Sequence, residues 1–457
     1  SNLDNLNDYG GMAGIFKDKK KAAIYGTKSN IGLQSKVNNA MSSLKGSDYD
    51  IIEVSDDGSS IMMMGRGDQD DYMDPSRGVP DNLTLGAHFS DKWKDNKRNL
   101  KLNYKYLDRG IFNSRTSNNQ QLLPNGTLFI GSGNAIDNSN NKGNDLKGNY
   151  EFTIDSLSKL KFSFGLRNTA SDINTTAFSE THTSMGLNVN QNNQLNNGNG
   201  TNDTYNGNIN YTKKFAKKGR SLTIDLQPEF IKTTELVKDK NTTLYYDAAG
   251  ILNRTDNLDL TKDNDGTQNS IASKISFAEP ISKSVVLQAS YSFKNVDAES
   301  YRNTFDNTIL VGGRPRVIDS LSNNFKFNSM SHIARGVLQW RNAKLSINGG
   351  LEATQTNFDL NDLDRANQFS RNYLNLAPTS NINYKIGRNM NVGLNYNGTT
   401  RQPSLSQLQP IRAINNPLYQ VIGNPDLKPS FTNTVSLNGN SYNPKSQEYI
   451  FFNVYYT

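Results

Sequence analysis

Three histidines, His88, His182 and His332, stand far apart in the chain, and none has the HExxH or other paired spacing that would bring two imidazoles to one metal ion. His88 and His332 fall on alternating patterns that read as strands, and His182 falls in a polar stretch that reads as a loop. All three are expected to be structural. Carboxylates gather at "SDDG" and at "DQDDYMD", where Asp68, Asp70, Asp71 and Asp74 offer hard oxygen ligands of the kind Ca2+ takes. A solvated acidic loop is the plainer reading of the same residues. "TKDNDGTQNSIA" supplies Asp263, Asp265 and Gly266, but Thr261 and Ala272 occupy the first and last ligand positions of an EF-hand loop, so that site is rejected. The triplet Arg66-Gly67-Asp68 is too short to imply adhesion. The glycine-rich "GSGNAIDNSNNKG" lacks the following helix that a phosphate cradle needs. The sequon at Asn125 to Thr127 is of the kind that any asparagine-rich loop contains. No nucleophile, base and orienting group can be assembled, so no catalytic residue, cofactor or metal site is expected, and no enzyme.

The elements that would position any site must be strands. Hydrophobic residues make up 34% of the 457 residues, mean hydropathy is −0.69, and no apolar run approaches the length of a membrane-spanning helix. A membrane-spanning strand needs only about 9–11 residues with every second one apolar, and it escapes such averages. Cysteine is absent, which removes disulfides, thiolate nucleophiles and cysteine metal sites. The net charge of +7 is spread over strand faces and turns with acids between, so no nucleic-acid partner is expected. The chain opens at Ser1 without a basic segment followed by an apolar run, from which a processed or truncated amino end is expected.

Period two recurs as strand, short turn, strand. Tyr150, Phe152 and Ile154 alternate with polar residues, "SLS" intervenes, and Leu160, Phe162, Phe164 and Leu166 follow. Ile209 and Tyr211 lead through "FAKKGR" to Leu222, Ile224 and Leu226. Ile271, Ile275 and Phe277 lead through "AEPISK" to Val285, Leu287, Ala289, Tyr291 and Phe293. Leu338 and Trp340 turn at "RNA" into Leu345, Ile347 and Leu351, and Ile382 and Tyr384 turn at "IGRN" into Met390, Val392, Leu394 and Tyr396. In "NLKLNYKYL" one face carries Leu100, Leu102, Tyr104 and Tyr106 and the other Lys101, Asn103 and Lys105. Lysines at that depth must face water, not lipid. Between hairpins lie long polar stretches, including residues 112–145 and 180–204, read as loops on one side of the membrane opposite the short turns. Strands of about 9–11 residues, roughly 15 or 16 of them, with short turns on one side and long loops on the other, point to an all-β, antiparallel, up-and-down transmembrane barrel. A soluble β-sandwich or solenoid remains the alternative.

The stretch "RQPSLSQLQPIRAINNPLYQVIGNPDLKPSFTNTVSLNG" adds a second kind of signal. Proline lacks a backbone donor, so Pro403, Pro410, Pro417, Pro425 and Pro429 are expected outside the ladder, with a strand from Phe431 onward. This stretch resembles the carboxy-terminal signature of the outer-membrane β-barrel family related to TonB-dependent receptors. The matching residues are Arg401 and Pro403, then Gly423, Asn424, Pro425, Leu427, Lys428 and Pro429, and their implied role is structural: stiff turns that set strand register. "LNDYGGMAGIF", "QQLLPNGTLF" and "YEFTIDSLSKLKF" are similar to other parts of the family, in the expected order.

The resemblance implies one partial outer-membrane barrel domain over residues 1–457, with no plug or energy-coupling box visible before Ser1 and closing strands absent after Thr457. It implies a receptor in the Gram-negative outer membrane that binds and imports a bulky nutrient. Its partners would be outer-membrane lipid, a small or oligomeric ligand, and an inner-membrane energy-coupling protein if a plug lies upstream. A passive channel or structural barrel, an outer-membrane hydrolase, and a soluble glycan-binding or adhesin protein are the rivals.

Overall fold

The computed structural model describes residues 7–30, 50–54, 61–64, 78–387, 389–401, 407, 412–416, 419–422, 424 and 426–457. In chain order the strands are β1 (Asp8–Lys17), β2 (Lys20–Ser29), β3 (Asp50–Val54), β4 (Ile61–Met64), β5 (Val79–Trp93), β6 (Arg98–Leu122), β7 (Leu128–Asp155), β8 (Ser158–Thr183), β9 (Asn188–Lys214), β10 (Ser221–Tyr246) and β11 (Leu252–Pro280). They continue as β12 (Val285–Val311), β13 (Arg314–Val317), β14 (Asn323–Arg341), β15 (Leu345–Asp362), β16 (Asn367–Ile386), β17 (Met390–Arg401), β18 (Arg412–Asn416), β19 (Tyr419–Ile422), β20 (Ser430–Asn443) and β21 (Glu448–Tyr456).

One sheet of 17 strands holds nearly all of this. Its ladders are antiparallel and join neighbours in sequence, running from β1 through β2, β5, β6 and onward to β12, then β14 to β17, β20 and β21. Only β13 stands outside the series, paired to the far end of β12. Setting β13 aside leaves sixteen up-and-down strands among the described residues, within the roughly 15 or 16 read from the sequence. The hairpins β3–β4 and β18–β19 are separate. Among the described residues no ladder joins β1 to β21, and the sheet is open at those two strands.

Register assigns every side chain to a face, because directly paired residues share one. On β10, Leu222, Ile224, Leu226 and Phe230 lie opposite Lys213, Tyr211, Ile209 and Tyr205 of β9, and opposite Phe277, Ile275, Ser273 and Asn269 of β11. The same row continues on β12 with Leu287, Ala289, Tyr291 and Phe293, and on β14 with Leu338 and Gly336. In the other direction it runs through Leu160, Phe162 and Leu166 of β8, Phe152, Tyr150 and Leu146 of β7, and Leu100, Leu102 and Tyr104 of β6. The other face carries Asp225 beside Asn210, whose amide donates to it at 2.6 Å. Phe162, Phe164, Ile224, Leu287 and Tyr291 are exposed although aliphatic or aromatic. A patch this large on an otherwise polar protein needs an apolar solvent, and lipid supplies about 1.5–3 kcal/mol for each large side chain it covers. Trp93 with Tyr150 and Tyr205 with Phe230 mark the two edges of the band, at centroid separations of 6.2 and 6.0 Å.

The strands are much longer than the band. β10 has 26 residues, yet its apolar row runs only from Leu222 to Phe230. The stretches 112–145 and 180–204, expected as loops, are the continuing strands of β6 to β9, closed by turns at 123–127 and 184–187. Asparagine, threonine and serine side chains bridge these ribbons, as with Thr201 and Thr234, whose hydroxyls lie 2.7 Å apart. Each turn has its own chemistry: Asn125 Oδ1 accepts from the Thr127 amide at 3.0 Å, and Gly126 takes a φ of 82° that side-chain-bearing residues rarely adopt.

Prolines also enter strands, and at Pro228 and Pro378 a ladder lapses or ends. At Pro228 the β9–β10 ladder lapses between Leu226 and Glu229, and Gly207 leaves room for the ring, since a Cβ there would meet Pro228 Cγ at 3.3 Å. At Pro378 the β16–β17 ladder ends, its first pair being Thr379 with Asn397. β20 begins at Ser430, one residue before the expected Phe431 and directly after Pro429.

The faces make opposite predictions for a charge. Leu226→Arg, on the apolar row, should cost about 2–4 kcal/mol in reversible folding of the complete protein into lipid vesicles, and Gln227→Arg, on the other face, much less. Equal costs would reject this orientation.

Candidate functional site

The polar face is the one available to a ligand, and its charge is unevenly distributed. On β6 to β8 it carries Lys101, Lys105, Arg109, Lys147, Lys161 and Arg167, with Asp145 and Glu151 between them. On β15 to β20 the same face is dominated by amides. Asn348, Asn381, Asn395 and Ser436 form one cross-strand row, Asn381 donates to Asn395, and Asn395 Nδ2 donates to Ser436 Oγ at 3.3 Å. Sequence reasoning found the lysines of β6 but missed this amide row, because asparagine reads as a loop former until its partner strands are known.

Beyond the apolar band the polar face is more closely packed. Asp239 and Lys262 are paired at 3.3 Å and nearly buried, and Thr243 and Thr304 are the most buried side chains of the described residues. Phe327, Phe358 and Tyr373 pack as tilted pairs along β14 to β16 with centroids 6.0 and 5.8 Å apart. The segment after β13 is held down where the Ser322 hydroxyl accepts from the Thr304 amide at 3.0 Å and the Thr304 hydroxyl donates to the Leu321 carbonyl at 3.0 Å. Asp306, in the part of β12 that pairs with β13, accepts from the Thr308 hydroxyl and amide and pairs with Arg316 at 3.0 Å. The Thr308 hydroxyl is the main reason its carboxyl lies below the ordinary value.

The motif residues are partly placed. Arg401 ends β17 opposite Ser430, so the motif spans the connection between two paired strands. The Asn424 amide donates to the Gln407 carbonyl at 2.6 Å, and the Asp426 amide to Asn424 Oδ1 at 2.9 Å. Tyr373 donates its hydroxyl to the Leu427 carbonyl at 3.4 Å, and Arg371 lies 3.8 Å from Asp426, tying the segment to β16. Lys428 and Pro429 run into β20. Pro403, Gly423 and Pro425 lie outside the described residues, as do Arg66, Gly67 and the acidic residues Asp68, Asp70, Asp71 and Asp74.

The histidines are separated, as their sequence spacing implies. His88 is buried with Nδ1 2.6 Å from Asn103 Oδ1, and His332 Nδ1 lies 2.7 Å from the Tyr291 hydroxyl on the apolar face. His182 is in strand β8 and not in a loop, 3.3 Å from Glu180, because the ribbon extends past it. Asp263 and Asp265 are ladder residues of β11.

At the short-turn end, at the boundary of the apolar band, Glu279 receives Arg220 Nε at 2.6 Å, Arg220 Nη2 at 2.8 Å and Lys217 Nζ at 2.5 Å. The Arg220 fork spans the turn 215–220 to the last residues of β11.

An open up-and-down sheet with an apolar band on one face and a hydrated opposite face defines the class of an outer-membrane β-barrel protein. The model of the outer membrane protein beta-barrel family matches residues 213–457, and the chain belongs to that family and to the outer membrane. Among solved structures it is similar to the ferric-catecholate import receptor Fiu from K12 E. coli in its closed form, at 8% identity over 99% of this chain and 79% of that chain, with a TM-score of 0.40. It is similar to the FrpB iron transporter from Neisseria meningitidis at 8% identity over 99% and 74% of the two chains, with a TM-score of 0.30. No curated protein matches it.

The rim cluster sets a pH dependence. Hydrogen bonds from Arg220, and then Lys217, hold the Glu279 carboxyl down to about 2, below its ordinary 4.5. A depressed carboxyl stabilises the fold above the unfolded value and loses that contribution as pH falls toward the folded one. Glu279→Gln should therefore lower the urea midpoint of the complete protein at pH 7, and the gap from the parent should close between pH 4.5 and 2. A gap independent of pH would exclude the charge as its cause.

Proposed function

We propose that the chain forms the wall of an outer-membrane receptor that captures a bulky polar nutrient outside the cell and passes it through the lumen. The observation that carries this reading is the pairing of a short apolar band with tall polar ribbons. A wall built only to cross the membrane needs about 9–11 residues per strand, and the remainder of each 25- to 29-residue strand from β6 to β12 stands in water. The ribbons present amides, hydroxyls and aromatic rings, groups suited to a glycan, a peptide or a metal chelate. Import would use an inner-membrane energy source acting through a plug, as the family resemblance implies. No covalent chemistry and no catalytic, cofactor or metal residue belongs to this reading.

Cells making the complete protein should accumulate at least one of a panel of labelled oligosaccharides, oligopeptides and ferric chelates, and collapse of the inner-membrane proton gradient should stop it. Uptake indifferent to the gradient would make the protein a passive channel.

Within this reading the segment Arg401 to Pro429 fixes strand placement. Proline restricts φ and keeps the preceding residue extended, which prepares the chain to enter β20. The double variant Pro425→Ala, Pro429→Ala should reduce the yield of heat-resistant protein in the outer membrane while the molecules that assemble keep their ligand affinity. Unchanged yield with lost binding would make the segment a recognition element instead.

A further inference from the structure

The polar face holds a concave site that the import reading does not specify. At the level just above Tyr104, Leu146 and Leu166, a pocket of about 230 Å3 is lined by Lys105 and Arg109 of β6, Asn141, Gly143 and Asp145 of β7, and Arg167 of β8, among others. Register explains the convergence. Lys105 and Arg167 flank Asp145 from the two neighbouring strands, and Arg109 lies opposite Asn141, four residues further along. Strands lie about 4.8 Å apart, so the two flanking cations start about 10 Å from each other, within reach of one small ligand group held between their long side chains. Gly143 is the floor. A Cβ there would meet Thr169 Cγ2 at 3.0 Å and the Asn168 carbonyl at 3.2 Å, and any larger side chain would fill the space between the cations.

We propose that this pocket is an anion subsite, taking a carboxylate or phosphate group carried by the imported ligand. Three cations of this face meet a single lining carboxylate, Asp145, which also pairs with Lys147 at 3.4 Å. Lys142, at the pocket's edge, belongs by register to the opposite face and pairs there with Asp108 at 3.8 Å. All three cations have partners within the wall, so an arriving anion joins an existing network and does not fill a vacancy. The surplus of positive charge in a concave surface focuses the field and attracts anions, and guanidinium groups can hold two oxygens of one carboxylate or phosphate in parallel. The contrast with the opposite end of the sheet strengthens the assignment, since the row Asn348, Asn381, Asn395 and Ser436 offers amides and a hydroxyl but no charge. A ligand bridging both would be anionic at one end and rich in hydroxyl or amide groups along its length.

The inference rests on the reading of the chain as an import wall, and the test separates the two. The complete protein, purified in detergent, is titrated calorimetrically with tripolyphosphate and with an oligogalacturonate, with its methyl ester as the neutral control. Both anions should bind and the ester bind at least tenfold more weakly. Arg109→Gln with Arg167→Gln should weaken anion binding at least tenfold while heat-modifiable migration on gels stays that of the parent. Arg115→Gln, on the same face but outside the pocket, should leave binding unchanged. Anion binding that is equal in the parent and the double variant, equal loss in Arg115→Gln, or no anion binding at all would overturn the subsite. Energy-dependent uptake of a neutral ligand alongside any of these results would leave the import reading standing. Pocket-dependent anion binding without any uptake would remove import and keep the subsite.

Discussion

Lipid offers no hydrogen bonds, and every backbone amide and carbonyl in the membrane must find its partner within the protein. That constraint orders the rest of this structure. It requires strands to pair with strands close in sequence, so the ladders run from β2 to β12 and from β14 to β21, joined by short turns except between β2 and β5, β12 and β14, and β17 and β20. It also makes interruptions visible. Pro228 and Pro378 cannot donate, and at each the ladder lapses or ends, with Gly207 and Gly398 giving space to the rings. Sixteen strands about 4.8 Å apart make an arc about 75 Å long, wide enough for its polar face to line a hydrated interior.

The membrane-crossing part was legible in the sequence because lipid imposes a strict period of two. Leu160, Phe162, Phe164 and Leu166 could be assigned to one face from their spacing, and the turns at "SLS" and "IGRN" fall where that period breaks. Outside the band that imposition ends. In β9 the run "NQNNQLNNGNGTNDT" is made of residues that favour loops when taken singly, and its strand conformation comes from ladders to β8 and β10 on either side. His182 reads as a loop residue for the same reason. The polar face was legible in part: the lysines of β6 announce water, but which of them converge on Gly143 depends on the register of β7 and β8.

Charge placement follows from the same division of faces. At the short-turn rim, Lys217, Arg220 and Glu279 neutralise one another at the boundary of the band. In the outer half of the polar face, Lys262 and Asp239 do so in a nearly buried pair. The wall of β6 to β8 differs in leaving cations in excess, and it sits at the height where the ribbons leave the band. On the proposed import reading, a ligand descending from the ribbons would meet this stretch before the membrane-level interior.

The ribbons also change the thermodynamics of recognition. A free loop of comparable length would lose about 1–2 kcal/mol of backbone entropy for each residue it ordered around a ligand. Strands continuous with a membrane-anchored sheet lost that freedom when they folded, so contacts made on their surfaces go largely into affinity. Because side chains on a ladder stand at fixed positions while the backbone carries the hydrogen bonds, one exposed residue can be exchanged without refolding its neighbours. If the ribbons bind a ligand as proposed, such a surface can drift from one ligand to another by point changes, with the scaffold left intact.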